Sequence, residues 1–302
     1  MTRPKISIIL PVYNGADYLE ESVKSCCKQR FKDWELIIVD DASTDRTQDI
    51  IRKYVRLDNR ITCVRHDHNK RLPAALNSGF AVAKGEYFTW TSHDNRFLPQ
   101  ALDKMLRFLE ENKSFSIVYS DFKIIDATGK DVDQFNVSPP EDLTLKNVMG
   151  PCFLYKSIVH HELNGYDEAR FLVEDYDFWL RASKKFKIAP PLKKLLYEYR
   201  AHGDSLTARR SYEIQNALIL LLARHLPDMW WAGCRKVSQG YARLAAAATR
   251  NGLIGWGVYY YVKSVILWPS PKNIIKAIIF VLSKAAHVVR EIFSGILQRK
   301  RK

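Results

Sequence analysis

The sequence predicts an α/β fold with a mostly parallel central sheet and helices on both of its faces. Three observations carry that expectation. Apolar runs rich in β-branched residues alternate with amphipathic helical stretches, in the order β-α-β-α-β-α-β, over about the first 90 residues. The runs at 6–10 and 35–39 lack a polar alternation, as strands covered on both faces do. Polar clusters at 11–15, 40–45, 66–71 and 92–95 each follow a predicted strand, which is where open α/β sheets bind ligands.

Each element has its own signal. The first strand, ISIIL, stops at Pro11, and the turn 11–15 follows. Leu19, Val23 and Cys26 recur at i, i+4 and i+7 and predict a helix over 16–28. The second strand ends in Asp40-Asp41-Ala42-Ser43-Thr44-Asp45, where Ser43 or Thr44 can cap a helix over 45–55. A third strand at 61–65 leads through the loop 66–72 to a helix over 73–83, with Pro73 in its first turn. The strand 87–91 then delivers Ser92, His93, Asp94 and Asn95 to its carboxyl end, and a helix over 99–110 follows. Residues 115–125 read as one further strand and 131–150 as a polar excursion over the sheet. Glu174, Asp175 and Asp177 open a helix whose next residues are Phe178, Trp179 and Leu180. Acids are favoured at that end by the helix dipole, but three in four residues beside aromatic bulk exceed what a cap needs. A strand at 195–200 closes in Ala201-His202-Gly203-Asp204-Ser205.

From Tyr212 the character changes. Helices are expected at about 213–226, 230–249, 253–267 and 272–298, separated by Pro227, Gly252 and Pro269-Ser270-Pro271. The expected division is an α/β domain over 1–211 and a basic helical region over 212–302. Residues 213–302 hold 14 Lys and Arg against 3 Asp and Glu, a balance of +11 out of the chain's +14. That asymmetry points the C-terminal third at something anionic, while the nearly neutral remainder excludes an extended nucleic-acid footprint. Trp256, Tyr259, Tyr260, Tyr261 and Trp268, followed by the Arg299–Lys302 tail, suit a helix lying in a membrane interface. The apolar runs are too short and too often broken by Lys to span a bilayer.

Apolar content of 47% provides for a sizeable core. Five irregularly spaced cysteines without a Cys-x-x-Cys pair indicate a reducing compartment, and the N-terminus shows no secretory signal, so a cytoplasmic location is expected. No Gly-x-Gly-x-x-Gly follows the first strand and no P-loop pattern occurs, which removes the main support for dinucleotide and P-loop readings. His66-x-His68 has the look of a metal pair but is expected in a solvated loop.

Taken together, ISIILPVYNG, ELIIVDDASTD, RLPAALNSGFAVAKGEYFTWTSHDN, NGYDE, EDYDFWLR and YRAHGDS resemble, in order and spacing, the family 2 glycosyltransferases of the GT-A fold. The resemblance covers most of residues 5–210. It implies inverting transfer of a sugar from a nucleotide-diphosphate donor, commonly a UDP-sugar, to a hydroxyl of a glycan or lipid-linked glycan acceptor. By motif position it implies that Pro11, Tyr13, Asn14, Asp41 and Arg71 bind the nucleotide, that Asp94 binds a divalent cation, Mn²⁺ or Mg²⁺, and that Asp175 is the general base with Glu174 beside it. His202 resembles the position where some relatives supply a third metal ligand. The chain departs from the family where Asp-x-Asp is usual: it has Ser92-His93-Asp94, then Asn95. A hydroxyl replaces one carboxylate, so Ser92 and His93 are expected to face the donor rather than ligate. The departure also raises an alternative, a nucleotide-sugar-binding subunit with impaired catalysis. The remaining expected partner is an anionic membrane surface at the inner face of the cell membrane.

Overall fold

The computed structural model of the chain describes residues 3–250, 252–271, 274–275 and 278–279. The first half runs β1 (Ile6–Val12), α1 (Leu19–Cys27), β2 (Trp34–Asp40), α2 (Thr47–Leu57), β3 (Ile61–Arg65), α3 (Arg71–Val82), β4 (Tyr87–Trp90), β5 (Arg96–Phe97) and α4 (Ala101–Glu111). It continues with β6 (Ile117–Tyr119), β7 (Phe122–Ile125), β8 (Asp131–Phe135), β9 (Phe153–Lys156), α5 (Ser157–Glu162), α6 (Glu174–Ala182) and β10 (Tyr197–Arg200). Helices α7 (Leu206–Arg209), α8 (Ser211–His225), α9 (Cys234–Arg250) and α10 (Ile254–Leu267) follow. The chain divides into two compact units, Met1–Leu143 with Asn147–Ala217, and Thr144–Lys146 with Leu218–Lys302.

The main sheet of the first unit has the order β3-β2-β1-β4-β9-β6. The four strands from β3 to β4 are parallel; β9 runs against both of its neighbours. Every residue of β1 is buried, and in β2 only Glu35 is not, which is why neither run alternates. The first crossovers put the ends of β1, β2 and β4 together, and the candidate site residues lie there.

A second sheet, β5-β10-β7-β8, corrects two expectations. Residues 115–125 are not one strand: β6 belongs to the main sheet and β7 to the second, and the chain changes sheets at Ser120-Asp121. Both are buried, and the Asp121 carboxylate takes the Val137 N–H at 2.8 Å and the Lys193 ammonium at 3.5 Å, partners that lie off the ladder. The stretch read as an excursion begins with β8, the outer strand of this sheet, exposed at all five positions. Its acidic, polar composition is that of a protected edge.

Between β4, β9, α3 and α6 lies an aromatic cluster. His160 sits within it, its ring centroid 4.4 Å from Phe80, 5.8 Å from Phe88 and 6.0 Å from Phe178, with Nδ1 3.4 Å from the Tyr155 hydroxyl. Burial, and then the neighbouring His161 and Arg181, lower its pKa to about 4. The unfolded chain therefore takes up this proton near pH 6.5 and the folded chain only near 4. Stability is lost as pH falls through that window, by about 3 kcal/mol in total. Denaturant melts of wild type and His160→Gln at pH 7 and pH 4.5 check it: the variant should lose this part of the pH dependence.

In the second unit α9 and α10 pair through Ser238, whose hydroxyl donates to the Ser264 carbonyl at 2.8 Å, and through Tyr241 against Tyr260 at 6.1 Å. The helix expected over 272–298 lies, with the terminal basic tail, almost entirely outside the described residues. Among those described, no helix is long and apolar enough to cross a membrane.

Candidate active site

The loops after β1, β2 and β3 are tied into one surface by hydrogen bonds that follow from their polar composition. Asn14 donates its N–H to Ser43 Oγ at 3.0 Å, and its side-chain oxygen accepts the Thr44 N–H at 2.8 Å. Asp41 is only 3% exposed. Its carboxylate accepts the N–H groups of Lys70 at 2.8 Å and Arg71 at 2.9 Å and lies 2.7 Å from His66 Nδ1. Three of about four lone-pair sites are thereby occupied, so Asp41 fastens the loops after β2 and β3 together and keeps one acceptor site over. Pro11 is buried within β1 opposite Val39, whereas Tyr13 is 47% exposed and presents its ring at the strand end. Arg71 is exposed, with its guanidinium 5.1 Å from the centre of the Phe171 ring. Asn14, Ala42 and Arg71 in these loops, and Leu172 just before α6, have φ of +49°, +66°, +71° and +81°. Side chains rarely tolerate that region, and such strain concentrates at functional sites.

His66 corrects the expectation of a solvated loop. It is buried, and its second nitrogen, Nε2, lies 2.9 Å from Ser78 Oγ, so neither nitrogen is left for a metal. His68 is exposed and pairs with Asp67 at 2.8 Å. The Asp41–His66–Ser78 chain has the connectivity of a nucleophile relay. Ser78, however, lies within α3, where the backbone N–H groups are spent on the helix and cannot form an oxyanion hole.

At the end of β4, Gly15 and His93 meet. A Cβ on Gly15 would stand 2.4 Å from His93 Cδ2, so only glycine lets the first loop close on this ring. Burial lowers the His93 pKa and outweighs the nearby Asp94 carboxylate, which keeps the imidazole neutral at pH 7. The Ser92 carbonyl accepts the Ser22 hydroxyl at 2.9 Å and fixes the turn. Asp94 Oδ2 lies 3.0 Å from His202 Nε2, so the structure brings together the two residues expected to bind metal. Asp94 Oδ1 is buried with no hydrogen-bond partner. A hard oxygen left over beside an imidazole nitrogen fits a divalent cation. Among the described residues no group of three or more His, Cys, Asp or Glu could hold a metal.

The second group of acids opens α6. Asp177 is buried and bound to Arg181 Nε at 2.6 Å; that guanidinium also reaches the carbonyls of Leu163 at 2.8 Å and Gly165 at 3.0 Å. Asp177 therefore clamps the NGYDE loop, which separates it from Asp175. Asp175 is half-buried, and Oδ2 accepts the Asn147 amide at 2.7 Å. Burial raises its pKa, and the Tyr176 N–H and Asn147 pull it partway back. Glu174 is 4% exposed, with Oε2 unpartnered. Burial, and then the Asp175 charge, push its pKa well up. Burial raises the phenol pKa of Tyr199 on β10, a hydrogen bond to Thr207 offsets part of that rise, and the charges of Asp94 and Asp175 both add to it.

The sequence reading missed Arg200 and Asn147. Arg200 had a signal, a charged residue inside a strand and two before His202. Asn147 had none, because its partner is 28 positions away.

Comparison with known proteins now bears on this geometry. The family model described as Glycosyl transferase family 2 matches residues 7–162. The putative glycosyltransferase EpsE of Bacillus subtilis (strain 168) is 32% identical over 227 residues, covering 73% of this chain and 82% of that protein. The putative teichuronic acid biosynthesis glycosyltransferase TuaG of the same organism is 31% identical over 214 residues, covering 69% and 83%. Among solved structures, S. aureus TarS 1–349 in complex with UDP-GlcNAc superposes with a TM-score of 0.62 at 18% identity, over 87% of this chain and 81% of that one. Mannosyltransferase PcManGT from Pyrobaculum calidifontis, in complex with GDP-Man and Mn²⁺, gives 0.56 at 18% identity, over 89% of each. These two share the fold. The family match and the relatives make the chain a glycosyltransferase of family 2, with a GT-A fold.

Proposed function

We propose that the protein moves a sugar, with inversion, from a UDP-sugar to a hydroxyl of a glycan or lipid-linked glycan acceptor of the cell envelope. The observation that carries this reading is the Asp94–His202 pair with its unpartnered Oδ1; the charge of Asp175 acts on the same Tyr199 phenol as that of Asp94. The loops holding Tyr13, Asn14, Asp41 and Arg71 bind the base, ribose and diphosphate; Ser92 and His93 line the donor side. Asp94 and His202 would hold Mn²⁺ or Mg²⁺, which when bound neutralises the departing diphosphate as a Lewis acid. Asp175 takes the acceptor proton, and its raised pKa suits a base working near neutral pH. Asn147 fixes its direction. Glu174 is too buried to reach the acceptor and acts on Asp175 as a neighbouring, protonated carboxyl.

The alternative, a binding subunit without catalysis, rests on Ser92 in place of a carboxylate. Slow release of UDP from a UDP-sugar without acceptor separates them: hydrolysis that Asp175→Asn removes supports the enzyme, and binding without any hydrolysis supports the subunit.

The C-terminal unit is proposed to lie on the cytoplasmic face of the membrane. Trp256, Tyr259, Val262 and Ile266 are exposed at helical spacing along α10, Ile266 to 72%, and no Asp or Glu occurs from 229 to 290. The full chain is expected to pellet with vesicles containing anionic lipid and to be released by salt, with little binding to neutral ones. Absence of binding to anionic vesicles at low salt would remove this part.

A further inference from the structure

We propose that Arg200 is the positioning residue for both Asp94 and His202, and so determines how strongly a bound cation tightens the nucleotide. This rests on the metal reading above.

The Arg200 side chain is 0% exposed. A buried guanidinium is costly unless its charge and its five donors are satisfied. Here Nη2 donates to Glu21 Oε2 at 2.7 Å, and Nη1 to the carbonyls of Ala127 at 2.9 Å and Asp126 at 3.3 Å. Nε donates to the Asp94 carbonyl at 2.9 Å, and the Arg200 backbone N–H donates to Asn95 Oδ1 at 2.8 Å. One residue therefore grips the turn after β4 at Asp94 itself and at the residue that follows it. It also sets His202. Its Cζ lies 4.5 Å over the Tyr18 ring, and the His202 ring lies 5.3 Å from the same ring. His202 is thus placed twice, by the chain two residues on and by the tyrosine whose ring neighbours both.

A role in fastening the turn between β7 and β8 to α1 does not account for this. Arg96 already does that, with Nη1 on Glu21 at 2.9 Å, Nη2 on the Gly129 carbonyl at 3.1 Å and Nε on Glu198 at 2.7 Å. What Arg200 adds is the pair of bonds to Asp94 and Asn95 and the ring against His202. Lysine cannot reproduce a fork that serves a carboxylate, two turn carbonyls and a strand-end carbonyl together. Groups that orient metal ligands without touching the metal are typically worth about 10–100-fold in metal affinity.

The test is calorimetric titration of UDP into the full chain, with and without Mn²⁺. For wild type the metal should tighten UDP on the order of tenfold or more. In Arg200→Lys the metal-free affinity should stay within about twofold, while the Mn²⁺ enhancement is lost; Arg96→Lys, which shares Glu21, should keep the enhancement. Arg200→Lys with full enhancement, or with metal-free and metal-bound affinities falling together, overturns the proposal. So does an equal loss in Arg96→Lys. If Arg200→Lys does not fold, Tyr18→Leu decides, because it removes the ring against His202 without stranding a charge: reduced enhancement supports the proposal and unchanged enhancement overturns it. A wild type indifferent to Mn²⁺ refutes the metal reading itself, before any variant is compared.

Discussion

Asp175→Asn is expected to lower the turnover of sugar transfer by a factor on the order of 10²–10⁴ and to leave UDP affinity within about twofold of wild type. Asparagine keeps the shape and the bond to Asn147 but cannot take a proton. The carboxylate stands on α6, not on the loops of β1 and β2 proposed to bind the nucleotide, so binding and chemistry should separate. Single-turnover rates and UDP titrations on the same preparation check both halves. The pH profile adds an independent readout. Only the deprotonated base works, so kcat/KM should rise with pH through the Asp175 pKa, which burial holds above the ordinary Asp value of 3.8. The Asn147 amide stabilises the charged form. Asn147→Ala should therefore move that acidic limb to still higher pH. A limb that stayed in place would separate Asn147 from the base.

Asp94→Asn should cost on the order of 10²-fold or more in kcat/KM and abolish the Mn²⁺-dependent part of UDP binding. It removes the only carboxylate left in the motif, and with it the negative partner of His202. Ser92 cannot substitute, because a neutral hydroxyl is a weak ligand for a hard dication. Adding EDTA to wild type should reproduce the binding effect but not add to it in the variant. Metal-dependent binding that survives in Asp94→Asn would move the cation elsewhere.

The parallel half of the fold was legible because period and burial coincide there. β1 and β2 are buried on both faces, and a continuous apolar run says so directly. Which sheet a strand joins is not local information. The break at Ser120-Asp121 depends on Val137 and Lys193, 16 and 72 positions on, and was read as continuous strand. The polar clusters do converge, because loops at strand ends are short and their side chains hydrogen-bond to one another. What each polar residue does within the cluster was less legible. His66 reads as solvated until Asp41 and Ser78 are seen on its two nitrogens. Asp175 and Asp177 were separable in principle, since Arg181 stands four residues after Asp177, the spacing of a helical ion pair. Arg200 was not separable by spacing, because its partners come from three different segments.

The proposed active site joins a nucleotide site with a metal edge at Asp94 and His202 to a base at Asp175. The measurement that tests it most directly is the thermal midpoint of the full chain against a panel of UDP-, dTDP- and GDP-sugars, each with Mn²⁺, with Mg²⁺ and with EDTA. A UDP-sugar that raises the midpoint with Mn²⁺ or Mg²⁺, and raises it clearly less with EDTA, is the expected result. Equal shifts with and without a divalent cation, or no shift with any nucleotide sugar, would contradict it.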